Sequence, residues 1–490
     1  MIRFIFLVLF FLSCGRVLAA CGSECWVDLA GIGSGTANGT SVSNQCAGIA
    51  DTDCTPVAGS IVHLCNAGTT ITPQAVDGTT NTPIEYTASC TGGVDGSLNA
   101  LGQTYGVNIT NRAWLTFTGL DVTAPTQAGY LINCSVGNTS ANVRIEDADV
   151  FDVVGNGATI GNGFRWFCAD VTLWNTSVAG SWSDAYYCDT CNNATIDGDR
   201  TNSRGWYAAN FATGDANGDG IQIVDGDNAI IRNGTCTHPR NGTKLCVIQS
   251  STSSVGGLVQ NNYIYDGVDG GISWVAPGGS IERNEIWNIS GGNSGSGAAI
   301  GIKLLGTNQR AIGNIVVDVK KCFYSDQNNT IVQYINNVCF GFRDRGLDAN
   351  TVNAITLTLE NNIFVGLDTL TTSNYAVIIG SGVTETIDYN DYFNLGSAQW
   401  RDTSTSYATL ALWQASGKDA NSLNVTPNFV GGTSPTTAEG FKLKSISSLV
   451  RSGTSLNLGN IQDYSNQAFF LDKPSIGAYE IKETLTRTNR

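Results

Sequence analysis

The sequence predicts an all-β chain: a right-handed parallel β-helix solenoid closed by an N-terminal and a C-terminal cap. Three observations carry that expectation. An asparagine recurs in short β-type runs at Asn233, Asn262, Asn284, Asn314, Asn337, Asn362 and Asn390, with 22 to 30 residues between successive members. A second column of alternating apolar runs keeps the same register, as in Gly220–Val224, Gly271–Val275 and Ala299–Lys303. The composition, with Gly 58 and 14% charged residues, suits strands and tight turns. A period of this length marks a stacked repeat.

Each element has its own reason. A buried asparagine must pair both its amide N–H and its carbonyl, and an identical residue one rung away supplies partners. In the second column, period-two alternation turns Ile221, Ile223, Ile300 and Ile302 inward and Gln222, Ser273 and Asp348 outward. A propeller would show a blade period nearer 40 residues, and a β-sandwich would show no fixed rung. The expected organisation is a signal peptide over 1–20, an N-terminal cap with the first rungs over 21–100, the helix over 101–395 and a C-terminal cap segment over 396–490. Arg3, the apolar run Phe4–Leu12 and the small residues Val17-Leu18-Ala19 form the secretion signal, so the expected location is extracellular or periplasmic. Leu18-Ala19-Ala20-Cys21 also reads as a lipoprotein box, but lipidation of Cys21 would leave an odd number of thiols. No other run is apolar and long enough to span a membrane.

The chain has 15 cysteines, and removal of Cys14 with the signal leaves an even number. Spacing suggests Cys21 with Cys25, Cys46 with Cys54, Cys65 with Cys90, Cys134 with Cys168, Cys236 with Cys246, and Cys322 with Cys339. Cys188-Asp-Thr-Cys191 reads as structural in an exported all-β chain. Only His63 and His238 exist, which disfavours zinc. Net charge of -15 disfavours nucleic acid as a partner. It also disfavours a polyanionic substrate, unless calcium or a local basic patch reverses the field. The glycosylation-type sequons in Asn- and Thr-rich turns, such as Asn108 and Asn175, carry no conclusion.

The chain carries Ala58-Gly-Ser-Ile-Val-His-Leu-Cys65 followed by Gly68-Thr69, then Gly78-Thr-Thr-Asn-Thr-Pro83-Ile-Glu-Tyr-Thr-Ala88. It closes with Leu412–Leu423, Pro427-Asn-Phe429, Phe441-Lys-Leu443 and Pro474-Ser-Ile-Gly-Ala-Tyr-Glu480. In these segments it resembles the pectate-lyase-like family of secreted right-handed β-helix proteins. The resemblance implies architecture over nearly the whole mature chain. It does not select an activity, because lyases, hydrolases, epimerases and binding proteins share the scaffold.

The chemistry concentrates in one region. Aligned by column, Asp184, Asp219 and Lys244 fall at equivalent places on consecutive rungs. Tyr187 and Gln222 share the next outward column, with Asp189 two residues further on. Rungs about 4.8 Å apart would align these side chains along one outer groove. Asp215-Ala-Asn217-Gly-Asp219-Gly220 places hard oxygen ligands at alternate positions before a sharp turn, as a calcium loop requires. The competing reading is an Asp/Asn/Gly turn satisfying its own backbone. His238, Arg240 and Lys244, with Arg232, form a basic island in an acidic chain, against the plainer reading of solvated turn residues. Trp182 and Trp206 lie in turns and are candidate sugar-stacking platforms, whereas Trp166 and Trp274 share the inward column and belong to the core.

These residues imply a polysaccharide partner and a monomeric enzyme. The leading expectation is a calcium-assisted lyase on a uronate-containing glycan. Lys244 is the base, Asp215, Asn217 and Asp219 bind the ion, and Tyr187, Asp189, Gln222, Trp182 and Trp206 contact the sugar. Calcium is required by that reading, since an unneutralised Asp219 would raise the lysine pKa. A glycoside hydrolase using Asp184 with Asp219, or Asp219 with Asp269, is the second expectation. A non-catalytic glycan-binding or surface-structural β-helix is the third.

Overall fold

The computed structural model describes residues 23–481, apart from 32–38, 42, 44, 50, 52–53, 91–92, 135–139, 156–160, 200–206, 210–218, 238–247, 269, 292–298, 456–460 and 471. The described strands form three long sheets of 14, 13 and 13 strands. The first sheet runs from Glu24–Asp28 to Val383–Asp388, the second from Ala67–Gly68 to Asp391–Phe393, and the third from Tyr105–Thr110 to Thr405–Tyr407. Each strand pairs in parallel with its counterpart one turn away; the closing hairpin of Gln399–Asp402 with Thr405–Tyr407 is antiparallel. This is the right-handed parallel β-helix. From Ile84–Thr87 onward each turn contributes one strand to each sheet, and only inward side chains must be apolar.

The ladder lies between the first and second sheets. Asn284, Asn314, Asn337 and Asn362 are fully buried. The Asn314 side-chain amide donates to the Asn337 carbonyl oxygen at 2.9 Å and to Ile281 O at 2.9 Å. Its own oxygen accepts the backbone N–H of Asn284 at 2.9 Å and the side-chain amide of Asn284 at 3.0 Å. The column ends in the C-terminal cap, where Asn390 donates to Ser422 and Asp419. Asn233 is not a ladder member. It holds the left-handed position (φ 60) of the two-residue turn, as Asn261, Asn336 and Asn361 do on later rungs, and Gly234 stands where the ladder asparagine would be. Its side chain donates instead to Asp197 at 2.8 Å.

The core between the sheets stacks like on like. Tyr86 lies on Phe117 at 4.9 Å, and Phe164 on Tyr186 at 5.4 Å. Trp166 and Trp274 are buried inside, as expected. Ile300 is not inward. The entry to each third-sheet strand carries two successive inward residues, here Gly301 and Ile302, and Ile300 is half-exposed. A Cβ on Gly301 would lie 2.4 Å from Val316, so the second inward place at this corner has no room for a side chain.

Disulfides join Cys46–Cys54, Cys65–Cys90, Cys134–Cys168, Cys188–Cys191 and Cys322–Cys339. Cys134 and Cys168 sit on adjacent rungs with Cα atoms 5.5 Å apart. Cys25 and Cys236 are also disulfide-bonded, while Cys21 and Cys246 lie outside the described residues. Bridges in this number are consistent with an oxidising, extracytoplasmic compartment. No helix among the described residues is long and apolar enough to cross a membrane.

Candidate functional site

The outer face of the third sheet carries two neighbouring rows. The register runs Arg165, Tyr187, Gln222, Gln249, Ser273, Lys303, Tyr324 and Asp348 along the first. Tyr187 and Gln222 therefore share one row, as the alternation predicts, and both are half-buried. Asp189 also lies at the surface, one outward position along the strand.

Arg165 lies over Phe167 at 4.8 Å and over Tyr187 at 5.4 Å. It has no carboxylate partner among the described residues, and its Nε is buried without a hydrogen bond. Burial, reinforced by the Asp189 charge, raises the Tyr187 hydroxyl pKa, and Arg165 opposes the shift. Tyr187 is thus a proton donor at neutral pH. Five rungs on, Lys303 lies over the Tyr324 ring at 5.3 Å, again with no carboxylate partner among the described residues. Burial first, then its 2.5 Å bond to Asp326, raises the Tyr324 hydroxyl as well.

The second row begins three residues earlier on each strand, across the two inward residues at the strand entry. It holds Asn162, Asp184 and Asp219 toward the N-terminal end and Lys321 and Arg345 toward the C-terminal end. Asp184 and Asp219 do not line an open groove: they are 4% and 2% exposed. Asp184 accepts the Asp219 backbone N–H at 2.7 Å, and its second oxygen lies 3.4 Å from the Asn162 amide. These contacts turn the carboxylate onto the rungs on either side. Asp348, expected at the surface, is also buried, because Lys321 at 2.7 Å and Arg345 at 2.5 Å close over it.

The strand Ile221–Val224 pairs Ile221 with Ile248. That register is two residues away from the one that equates Asp219 with Lys244. Lys244, His238, Arg240, Trp206, Asp215, Asn217 and Asp269 lie outside the described residues. Trp182 is half-buried and packs where a side chain on Gly155 or Gly161 would collide with it, at 2.3 Å in each case. Gly155 and Gly161 let that ring pack closely against the backbone. Arg232 bonds the buried Asp197 at 2.6 Å and is committed there.

Among the described residues no group of three or more His, Cys, Asp or Glu is placed to hold a metal ion. Asp219 and Asp184 nevertheless bring two buried carboxylates together on adjacent rungs, hard donors of the kind calcium selects. The residues missed in the sequence are Lys303, Lys321, Tyr324 and Arg345. Lys303 closes the alternating run Ala299–Lys303, and Lys321 and Tyr324 stand in the next such run, Lys321–Ser325, while Arg345 lies just before the run Gly346–Asn350.

No protein-family model matches the chain, and no curated protein matches it significantly. Among solved structures, the complex of XylC with xylose superimposes with a TM-score of 0.51 at 11% identity, covering 94% of this chain and 98% of that one. A PL6 family alginate lyase, AlyGC, gives 0.47 at 13% identity over 71% of this chain and 51% of that one. Pectate lyase Pel9A gives 0.33 at 16% identity over 94% and 96%. The fold is that of the pectate-lyase-like right-handed β-helix proteins. At these identities the likeness is one of fold.

Proposed function

We propose that the protein degrades a polysaccharide, and that the substrate is a uronate-bearing chain cleaved by β-elimination along the outer face of the third sheet. The observation that supports this reading is the pair of uncommitted cations, Arg165 and Lys303. Each is laid on a tyrosine, in one row with Gln222, Gln249 and Ser273. In a chain of net charge -15, cations without carboxylate partners provide local attraction for anionic groups. Arginine's planar fork matches a carboxylate, and the amide and hydroxyl side chains between the cations can order sugar hydroxyls.

β-Elimination removes a weakly acidic proton beside a carboxylate and expels the glycosidic oxygen. Arg165 binds and orients that carboxylate in substrate and transition state alike. Lys244 remains the base candidate, with His238 and Arg240 beside it in sequence, and Tyr187, held protonated, returns a proton to the leaving oxygen. Asp215, Asn217 and Asp219 would hold calcium, which supplies positive charge against the substrate carboxylate when bound. The retaining hydrolase pair Asp184 and Asp219 is the weaker reading, because the Asp184 oxygens are turned onto Asp219 and Asn162.

A panel of neutral and acidic glycans, followed both by absorbance of unsaturated products and by reducing ends, tests the assignment. Absorbing products from a polyuronate alone are expected. Reducing ends without absorbance would replace the lyase by a hydrolase, and neither signal would leave a binding protein. Within that assay Arg165→Ala should raise KM about 10- to 100-fold with a smaller change in kcat, the loss of one charged contact. Arg165→Lys should restore only part of it. An unchanged KM would remove Arg165 from the site.

Calcium binding is tested without turnover. Titration calorimetry should show heat with the wild type and a weaker response in Asp219→Ala. Calcium at about 100 times its Kd should stabilise the fold by about 2.7 kcal/mol. No heat and no shift in melting would make the 215–220 segment a turn only.

A further inference from the structure

The last rungs are closed by a strap, 409–425, that is fastened to them largely through carboxyl groups. Lys418 pairs with Glu385 and with Asp402, the latter at 3.2 Å. Asn421 donates to Asp388 through its backbone and its side chain, each at 2.7 Å. Asp419 accepts from Trp413 at 2.7 Å, Tyr392 at 2.9 Å and Asn390 at 3.1 Å, and also from Ser422. The Val425 backbone N–H donates to Asp391 Oδ1 at 3.0 Å.

Asp391 differs from the others. Its side chain is fully buried between the second sheet and the strap, and its Oδ2 has no hydrogen-bond partner. The residue in register on the preceding strand is Ile363, and Leu423 bridges to it from the strap. Beyond the sheet, Phe340, Val365 and Phe393 meet Pro427 and Phe429 of the cap around a cavity of about 140 Å³, with Lys444 at its rim.

We propose that Asp391 is an acid latch: its carboxyl is neutral when the strap is docked, and its ionisation in alkali loosens the strap and the cap that follows. A carboxylate oxygen facing apolar side chains with no donor and no cation is costly, whereas a neutral carboxyl is tolerated. Burial raises the Asp391 pKa to about 8, and the Val425 and Tyr392 backbone N–H groups only moderate the shift. Its register neighbours on the preceding strand and on the strap, Ile363 and Leu423, are apolar and bring no charge to it. Of the nearby acids, Asp419 is also raised by burial, and Glu360, on the first sheet, is raised to about 7 by burial and then by Asp388.

The sign follows from linkage. The folded state keeps a proton that the unfolded chain releases near the ordinary aspartate value of about 3.9. Stability is full below that value, falls as pH rises, and levels off above about 8. One such proton lowers the folded-to-unfolded ratio about tenfold per pH unit within the window. Glu360 contributes with the same sign but is spent by about pH 7.

The test compares urea midpoints of the full chain at intervals of one pH unit from about 5 to 9, with dye binding to exposed apolar surface as a second readout. The wild type should lose stability with rising pH and bind dye in alkali. Asp391→Asn keeps the shape and should remove about one proton from the slope, most visibly between about pH 7 and 8. If Asp391→Asn fails to fold, difference infrared spectra of the wild type should show a protonated carboxyl lost between about pH 7 and 9. Equal slopes in the two proteins, a flat wild-type profile, or no such carboxyl band would overturn the latch.

Discussion

Asn314→Ala is expected to destabilise the fold by on the order of 3 kcal/mol while leaving activity per folded molecule unchanged. The reason is the two donors it strands. The Asn284 backbone N–H and side-chain amide both end on the Asn314 oxygen, in a fully buried column. Each buried donor left unpaired costs about 1–3 kcal/mol, and a water can offset part of that only if the space admits one. The lost amide also leaves Ile281 O and the Asn337 oxygen short of a donor. Urea midpoints with the m-value held as a check on cooperativity provide the measurement. Asn233→Ala is the internal control. It sits at the turn outside the ladder, so it should lose the bond to Asp197 and some left-handed turn preference, a smaller effect. A neutral Asn314→Ala would mean that the column is not load-sharing along the axis.

That comparison also shows how far the fold was legible. Six of the seven periodic asparagines, from Asn262 to Asn390, form the column because their spacing is the rung itself. Asn233 matched in spacing but not in role: the turn has two residues, and there the order is asparagine then glycine. The third-sheet row was legible at Tyr187 and Gln222, where the strand alternates strictly. At Lys303 the same alternation, with Ile302 inward, already turns the lysine outward; what it misplaces is Ile300, because Gly301 and Ile302 both face inward. The place of Lys303 over Tyr324 was not legible, because that depends on a contact between rungs. The burial of Asp184 and Asp219 was hidden for a different reason. Their environment depends on hydrogen bonds between rungs, from Asn162 and from the Asp219 backbone, which no local pattern encodes.

Lys244→Ala should abolish turnover while leaving melting temperature and glycan binding nearly unchanged. Loss of a positioned base lowers the rate by about 10²–10⁴-fold, the largest effect expected of any single substitution in this chain. Lys244→Arg should also be poor, since arginine stays charged and reaches differently. The contrast with Arg165 is what gives the experiment its force. Arg165→Ala removes a contact made to substrate and transition state alike and should act chiefly on KM, whereas loss of the base acts on kcat. A pH profile separates the two further: the limb governed by the base should vanish in Lys244→Ala and persist in Arg165→Ala. If both Lys244 variants keep full activity on a glycan that the wild type degrades, the base lies elsewhere. Lys303 would then be the next residue to test, because it lies over Tyr324 with no carboxylate partner among the described residues. Lys321 is a poorer choice, since its ammonium is already held by buried Asp348 at 2.7 Å.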